Sequence, residues 1–198
     1  MKTPVDVHWM APGVALSPLP AEGVTVVGVR GQLERDAARR TIRAVLRTAL
    51  AAHWAVPEDL VELHSPPASA PWALVRLAGA PRRVPLAISH DGDLSLAVFA
   101  AGNAIGIDVS QVVPVPDWEG VARDYLGPAV AQALAAVPDA ARDAAFAHAW
   151  SEQEARSKYF GLPLEEWSVQ RDARLAACEV RPLVLPDGYA GFVALAAA

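Results

Sequence analysis

The chain has 198 residues, room for one large domain or two small ones. Apolar residues make up 53% of it and charged residues 20%, which suits a packed core and excludes wholesale disorder. The net charge of -5 argues against a general nucleic-acid binder, which would carry a basic balance, yet leaves room for a small anionic ligand at a local basic cluster.

Residues 24–29, VTVVGV, are β-branched and predict a strand. Residues 34–54 predict a helix: Ile42, Val45, Leu46, Ala49 and Leu50 recur at helical spacing, with Arg35, Arg39, Arg40, Arg43 and Arg47 among them, and Pro57 lies just beyond the end. A loop-like stretch at 65–71 is followed by short apolar runs at 72–77 and 84–88 that suit strands. Ser89-His90-Asp91-Gly92 reads as a tight turn. The apolar runs 94–101 and 104–109, with Gly102-Asn103 between them, read as a hairpin. A proline-bearing segment at 112–118 leads into alanine-rich helical sequence. A long helix is predicted over 139–160, stopped by Gly161 and Pro163. Residues 166–198 read as strands with a turn at Pro186-Asp187-Gly188.

The single cysteine, Cys178, excludes an internal disulfide framework and a cysteine-rich zinc site, and is expected to be a buried structural thiol. The first residues show no signal-peptide pattern, and no stretch approaches the ~20 uninterrupted apolar residues of a membrane span. A soluble cytoplasmic protein is therefore expected. There is also an internal echo. Each half has a long helix followed by strands, ending in LSLAVFAA at 94–101 and AGFVALAAA at 190–198. Two related α+β halves, 1–105 and 106–198, would explain it; ordinary alternation of helices and hairpins explains it equally well.

Three segments offer chemistry. In a strand over 104–110, Ile105, Ile107 and Val109 would pack inward, while Gly106, Asp108 and Ser110 share the other face. An acid beside a glycine suits close approach of a ligand, although a turn-capping Asp is the plainer account. On the helix, Trp150, Glu154 and Lys158 are spaced four apart and lie on one face. Glu154 and Lys158 form either an ordinary helix ion pair or a metal- or proton-binding acid beside a phosphate-binding cation. Ser89 and His90 offer a hydroxyl and an imidazole that can bind phosphate oxygens. His8, His53, His64 and His148 show no metal-ligand spacing.

Taken together, Ile88-Ser89-His90-Asp91-Gly92, then Gly106-Ile107-Asp108, then Trp150 through Glu154 and Lys158 to Gly161, resemble the single-chain, surfactin-synthetase-activating class of 4′-phosphopantetheinyl transferases. Phe146 also matches, and the likeness is good over 85–198 and loose before it. The resemblance implies an α+β fold of two pseudo-symmetric halves, each a long helix packed on a small antiparallel sheet, with coenzyme A in the cleft between them. It implies transfer of the 4′-phosphopantetheine arm of coenzyme A to a serine of an apo acyl or peptidyl carrier protein, by a cytoplasmic monomer that uses neither nucleic acid nor membrane. Asp108 and Glu154 would hold Mg²⁺. Glu154 would also take the serine proton, and Lys158 would neutralise phosphate charge. Ser89 and His90 would grip the nucleotide phosphates, with Arg35, Arg39 and Arg40 as candidates for the 3′-phosphate.

The chain departs from the family pattern at Ser110, where an acid is usual, at Gln153, where Lys is usual, and in lacking a Gly-Lys-Pro element before Ser89, whose charge Arg76, Arg82 or Arg83 would supply. At Ser110, either a water fills the metal shell or metal affinity drops. The alternative function is a catalytically impaired relative that binds coenzyme A or a carrier protein without transfer.

Overall fold

The computed structural model describes residues 2–10, 23–31, 34–67, 69–100 and 104–197. Within them the β-branched and apolar runs form strands β1 (Val5–Trp9), β2 (Val24–Arg30), β3 (Val61–His64), β4 (Trp72–Arg76), β5 (Pro81–Asp91), β6 (Leu94–Ala100), β7 (Gly106–Gln111), β8 (Cys178–Val184) and β9 (Tyr189–Ala196). The helices are α1 (Arg35–His53), α2 (Trp118–Val121), α3 (Pro128–Ala135), α4 (Asp139–Tyr159) and α5 (Val169–Leu175), with a π-helical turn at Ala122–Leu126. The fold is mixed α+β, as the sequence predicts.

One curled sheet of nine strands runs in the order β3-β4-β5-β6-β2-β1-β8-β9-β7. β1 is parallel to both β2 and β8 and so joins the two antiparallel groups of strands on either side of it. Around α1 the strand order is β5-β6-β2, and around α4 it is β8-β9-β7, with antiparallel pairing throughout both groups.

Three of the four apolar clusters among the described residues pack on the sheet. α1 lays Ile42, Val45, Leu46, Ala49 and Leu50 on β2 to β6, where they meet Val27, Val75, Leu86 and Phe99. Ile107 and Val109 of β7, with Ile105 just before it, enter a second cluster with Ala87, Leu96, Val98 and Val193 inside the curl, the inward face expected of them. α4 packs through Ala155 on Cys178, Val180, Phe192 and Ala194. Cys178 is buried, as expected.

Three local expectations change. Ser89, His90 and Asp91 are not in a turn; β5 continues through Asp91, and the turn is Gly92-Asp93. β6 and β7 are not a hairpin. Both sides of β6 are taken, by β5 and β2, so β7 pairs with β9 instead; the Gly102-Asn103 turn lies outside the described residues. The segment 166–198 is not all strand, because Ser168 caps α5 by accepting a hydrogen bond from the Arg171 amide. β1 and β3 carry too short an apolar signal to be picked out alone. No helix of the described residues is long and apolar enough to cross a membrane.

Candidate active site

β7 and α4 build the centre of the site. A Cβ added at Gly106 would strike the carbonyl oxygen of Ala155 and lie 2.6 Å from the backbone nitrogen of Tyr159. Only glycine lets the last turns of α4 lie that close to the strand. Two residues further along the same face of β7 comes Asp108, and Lys158 in the last turn of α4 reaches it.

Lys158 Nζ donates to Asp108 Oδ1 at 2.6 Å and to Ser89 Oγ at 3.1 Å. Ser89 Oγ donates to Asp108 Oδ1 at 2.8 Å. Ser110 Oγ is a longer contact, 3.4 Å from Asp108 Oδ2. The helix end that presents Lys158 is closed by Gly161, at φ +63°, with the Leu162 amide donating to Ser157 O at 2.9 Å. The structure thus gathers Ser89, Asp108 and Lys158 from β5, β7 and α4.

The electrostatics are unbalanced toward negative charge. Burial pushes the Asp108 pKa up, and Lys158, Ser89 and Ser110 oppose that push. Glu154 is also raised, first by burial and then by the Asp108 carboxylate, with Lys158 and Arg171 opposing. Its Oε1 is buried and has no hydrogen-bond partner among the described residues. Such an oxygen is costly unless something binds it.

Two carboxylates, one with an unpartnered buried oxygen, fit a small hard cation. Mg²⁺ takes about six oxygens and keeps several waters and phosphate oxygens among them. Asp108 and Glu154 would hold it. No cluster of three or more His, Cys, Asp or Glu side chains suited to a metal forms among the described residues. Ser110 stands where a third acid would complete one.

A polar cavity of about 570 Å³ opens beside this centre, and Arg35, Ser89, His90, Asp108 and Lys158 line it. His90 Nδ1 lies 2.8 Å from Ser95 Oγ. Desolvation of its ring, and then the positive charges of Arg39, Lys158, Arg35 and Arg43, hold the His90 pKa below its usual value, although the residue keeps a side open to solvent. Arg35, Arg39 and Arg43 follow one another at helical spacing; Arg35 lines the cavity, and Arg39 and Arg43 do not line it but add positive charge at His90. Arg40 is exposed and is not among the lining residues or the cations felt most by His90. Arg43, four residues beyond Arg39, donates to Ser65 Oγ at 2.7 Å. Lys158 also borders a second, mainly apolar cavity of about 520 Å³, between Pro71 and Ile88 on one side and Leu162 and Pro163 on the other.

Residues 104–184 match the family model of the 4′-phosphopantetheinyl transferase superfamily. The match covers less than half of the chain and is a likeness to that superfamily over this stretch. No curated protein matches the chain. The matched stretch carries Asp108, Ser110, Glu154 and Lys158 but stops short of Arg35, Ser89 and His90, whose place beside them rests on the geometry.

The departures from the family pattern also find their places. Gln153 Nε2 donates to the Tyr125 carbonyl at 3.4 Å, so it ties α4 to the π-helical turn. Arg76 pairs with Glu62 at 2.6 Å, and Arg82 and Arg83 lie over Trp54 and Trp72. None of these three arginines lines the polar cavity.

Proposed function

We propose that the protein transfers the 4′-phosphopantetheine arm of coenzyme A to a serine hydroxyl of an apo acyl or peptidyl carrier protein, with Mg²⁺. The observation that carries the proposal is the half-buried Glu154, whose Oε1 is buried and without a hydrogen-bond partner among the described residues, beside an Asp108 already held by Lys158 and Ser89. Burial and the Asp108 carboxylate raise the Glu154 pKa and so make it a stronger proton acceptor than an ordinary carboxylate. Glu154 takes the proton of the carrier serine as its oxygen bonds to the phosphorus that bears the pantetheine. The diphosphate P–O bond on the nucleotide side breaks, and 3′,5′-adenosine bisphosphate leaves. Lys158 neutralises the charge that develops on the departing phosphate. Bound Mg²⁺ would offset diphosphate charge and polarise its oxygens. His90 and Arg35, facing the same cavity, meet the nucleotide phosphates, with Arg39 and Arg43 adding positive charge.

The single-chain, two-half form belongs to the same proposal. The repeated order β5-β6-β2 around α1 and β8-β9-β7 around α4 supports it. The convergence of Asp108, Glu154 and Lys158 gives no support to a relative that binds without transfer.

The test is to mix the protein with coenzyme A, Mg²⁺ and a panel of apo carrier proteins, and to weigh the carriers by mass spectrometry. A carrier heavier by one phosphopantetheine arm is the expected result. Carriers of unchanged mass across the panel would sink the proposal.

A further inference from the structure

The two walls of the proposed site come from different parts of the chain. Ser89 and His90 lie on β5, and Asp108 lies on β7. Among the described residues β7 has a strand partner on one side only, β9. With every second amide of β7 given to β9, those of Val109 and Gln111 point outward from the edge of the sheet. Each meets a side chain of β5. The Val109 amide donates to Ser89 Oγ at 3.4 Å, and the Gln111 amide donates to Asp91 Oδ2 at 2.7 Å. One step further on, the Tyr189 hydroxyl donates to Asp93 Oδ1 at 2.6 Å and accepts from the Asp93 amide at 3.1 Å. The contacts form a row: 89 to 109, 91 to 111, 93 to 189.

This row is a seam without a backbone ladder. A ladder would draw the strands to about 4.8 Å. Here side chains stand between the backbones and set the spacing. At the turn the seam is tightly closed. Gly92 sits at φ +54°, and a Cβ there would strike the Tyr189 hydroxyl and come within 2.9 Å of Gln111 Oε1. Asp91 also accepts the Gly92 amide on Oδ1 at 2.9 Å, so both its oxygens are used to hold this junction.

We propose that Asp91 and Tyr189 are positioning residues: they pin the β5–β6 turn to β7 and β9 and so set how far Ser89 and His90 stand from Asp108. The role rests on the transferase reading, because the distance matters through a ligand that touches both walls. Asp91 also lines the polar cavity, whereas Tyr189 does not, so Tyr189 separates the positioning role from direct contact with the ligand. Loss of either side chain widens the seam and lowers affinity for coenzyme A, while the proton acceptor and the cation on α4 stay in place.

Three substitutions test this in the full chain: Asp91→Ala, Tyr189→Phe and Asp91→Asn. Coenzyme A binding is measured by calorimetry, and KM and kcat by the transfer assay. Amide hydrogen exchange at Gln111 and Phe192 reports on the seam itself. Asp91→Ala and Tyr189→Phe should each weaken coenzyme A binding about fivefold to tenfold, the scale of one or two lost hydrogen bonds. KM should rise by a similar factor with kcat nearly unchanged. Exchange at Gln111 should speed up in Asp91→Ala while Phe192, inside the β7–β9 pairing, stays protected. Asp91→Asn keeps an acceptor oxygen and should recover most of the binding. Tyr189→Phe keeps the ring and decides the matter if Asp91→Ala does not fold. Unchanged affinity in Tyr189→Phe, or a kcat loss without a KM change, would overturn the positioning role while leaving the transferase reading intact. A wild-type protein that bound no coenzyme A would overturn both.

Discussion

The two long helices are used in different ways. α1 meets the sheet through large aliphatic side chains, Ile42, Val45, Leu46 and Leu50, all at or near full burial. α4 meets it through Ala147, Ser151 and Ala155, and through a glycine on the opposing strand. Aliphatic side chains keep a helix at an ordinary packing distance and leave its polar groups outside. Small residues let α4 sink toward β7 until Glu154 and Lys158 come within reach of Asp108. The first arrangement stabilises the molecule; the second trades burial of two like charges for a site.

Breaking the charged contact should have the largest effect. Glu154→Gln should lower transfer by about 10²–10⁴, the usual worth of a positioned proton acceptor. The same change should raise the thermal stability of the metal-free protein near neutral pH. The folded Glu154 pKa lies above that of the unfolded chain, so the folded state binds the proton more tightly. Wild-type stability therefore falls as pH rises from the ordinary carboxylate range through the folded value, and the Gln variant lacks that slope. Melting curves across pH should show its advantage growing with pH and then levelling. An advantage independent of pH would remove the buried charge from the account.

On α1 the expectation is the reverse. Leu46→Ala should cost about 2–5 kcal/mol in denaturant unfolding, as for other buried leucines, while coenzyme A affinity of the folded protein stays unchanged. A marked loss of affinity would mean that the two helices do not divide the work. Next in size is Gly106→Ala. Overpacking commonly costs about 1–3 kcal/mol, and the atoms in the way here are helix backbone, which yields poorly. Both stability and transfer should suffer, because the added methyl pushes α4 off β7. Full activity in this variant would show that the close approach is unnecessary. The smallest effect is expected at Ser110→Glu, which adds an acid on the Asp108 face of β7. The Mg²⁺ concentration for half-maximal transfer should drop a few-fold; an unmoved titration would show that the position does not bear on the metal.

Much of the second half was legible in the sequence. Gly106-Ile107-Asp108 and the Trp150–Glu154–Lys158 spacing carry their own geometry, because strand and helix periods put each set of residues on one face. Helix α1 was legible for the same reason. The pairing of strands was not. Gly102-Asn103 between two apolar runs is a strong local hairpin signal, yet β6 finds β5 and β2 as neighbours and β7 finds β9. The role of Asp91 was equally hidden, since its partner is a backbone amide twenty residues away that presents no side-chain signature. Arg40 and Arg43 could be told apart only once the face of α1 turned toward His90 was known.

The sequence by itself determined the mixed α+β class, the two long helices, the inward face of β7 and the acids and cation that line its other face. These follow from short-range periods and from residue chemistry. Only the tertiary structure decided that Ser89, Asp108 and Lys158 share one hydrogen-bonded centre, that Glu154 lies half-buried beside it with Oε1 unpartnered among the described residues, and that side chains rather than a ladder join β5 to β7. Those outcomes depend on how closely a helix can approach a strand and on which edges remain free after the sheet curls.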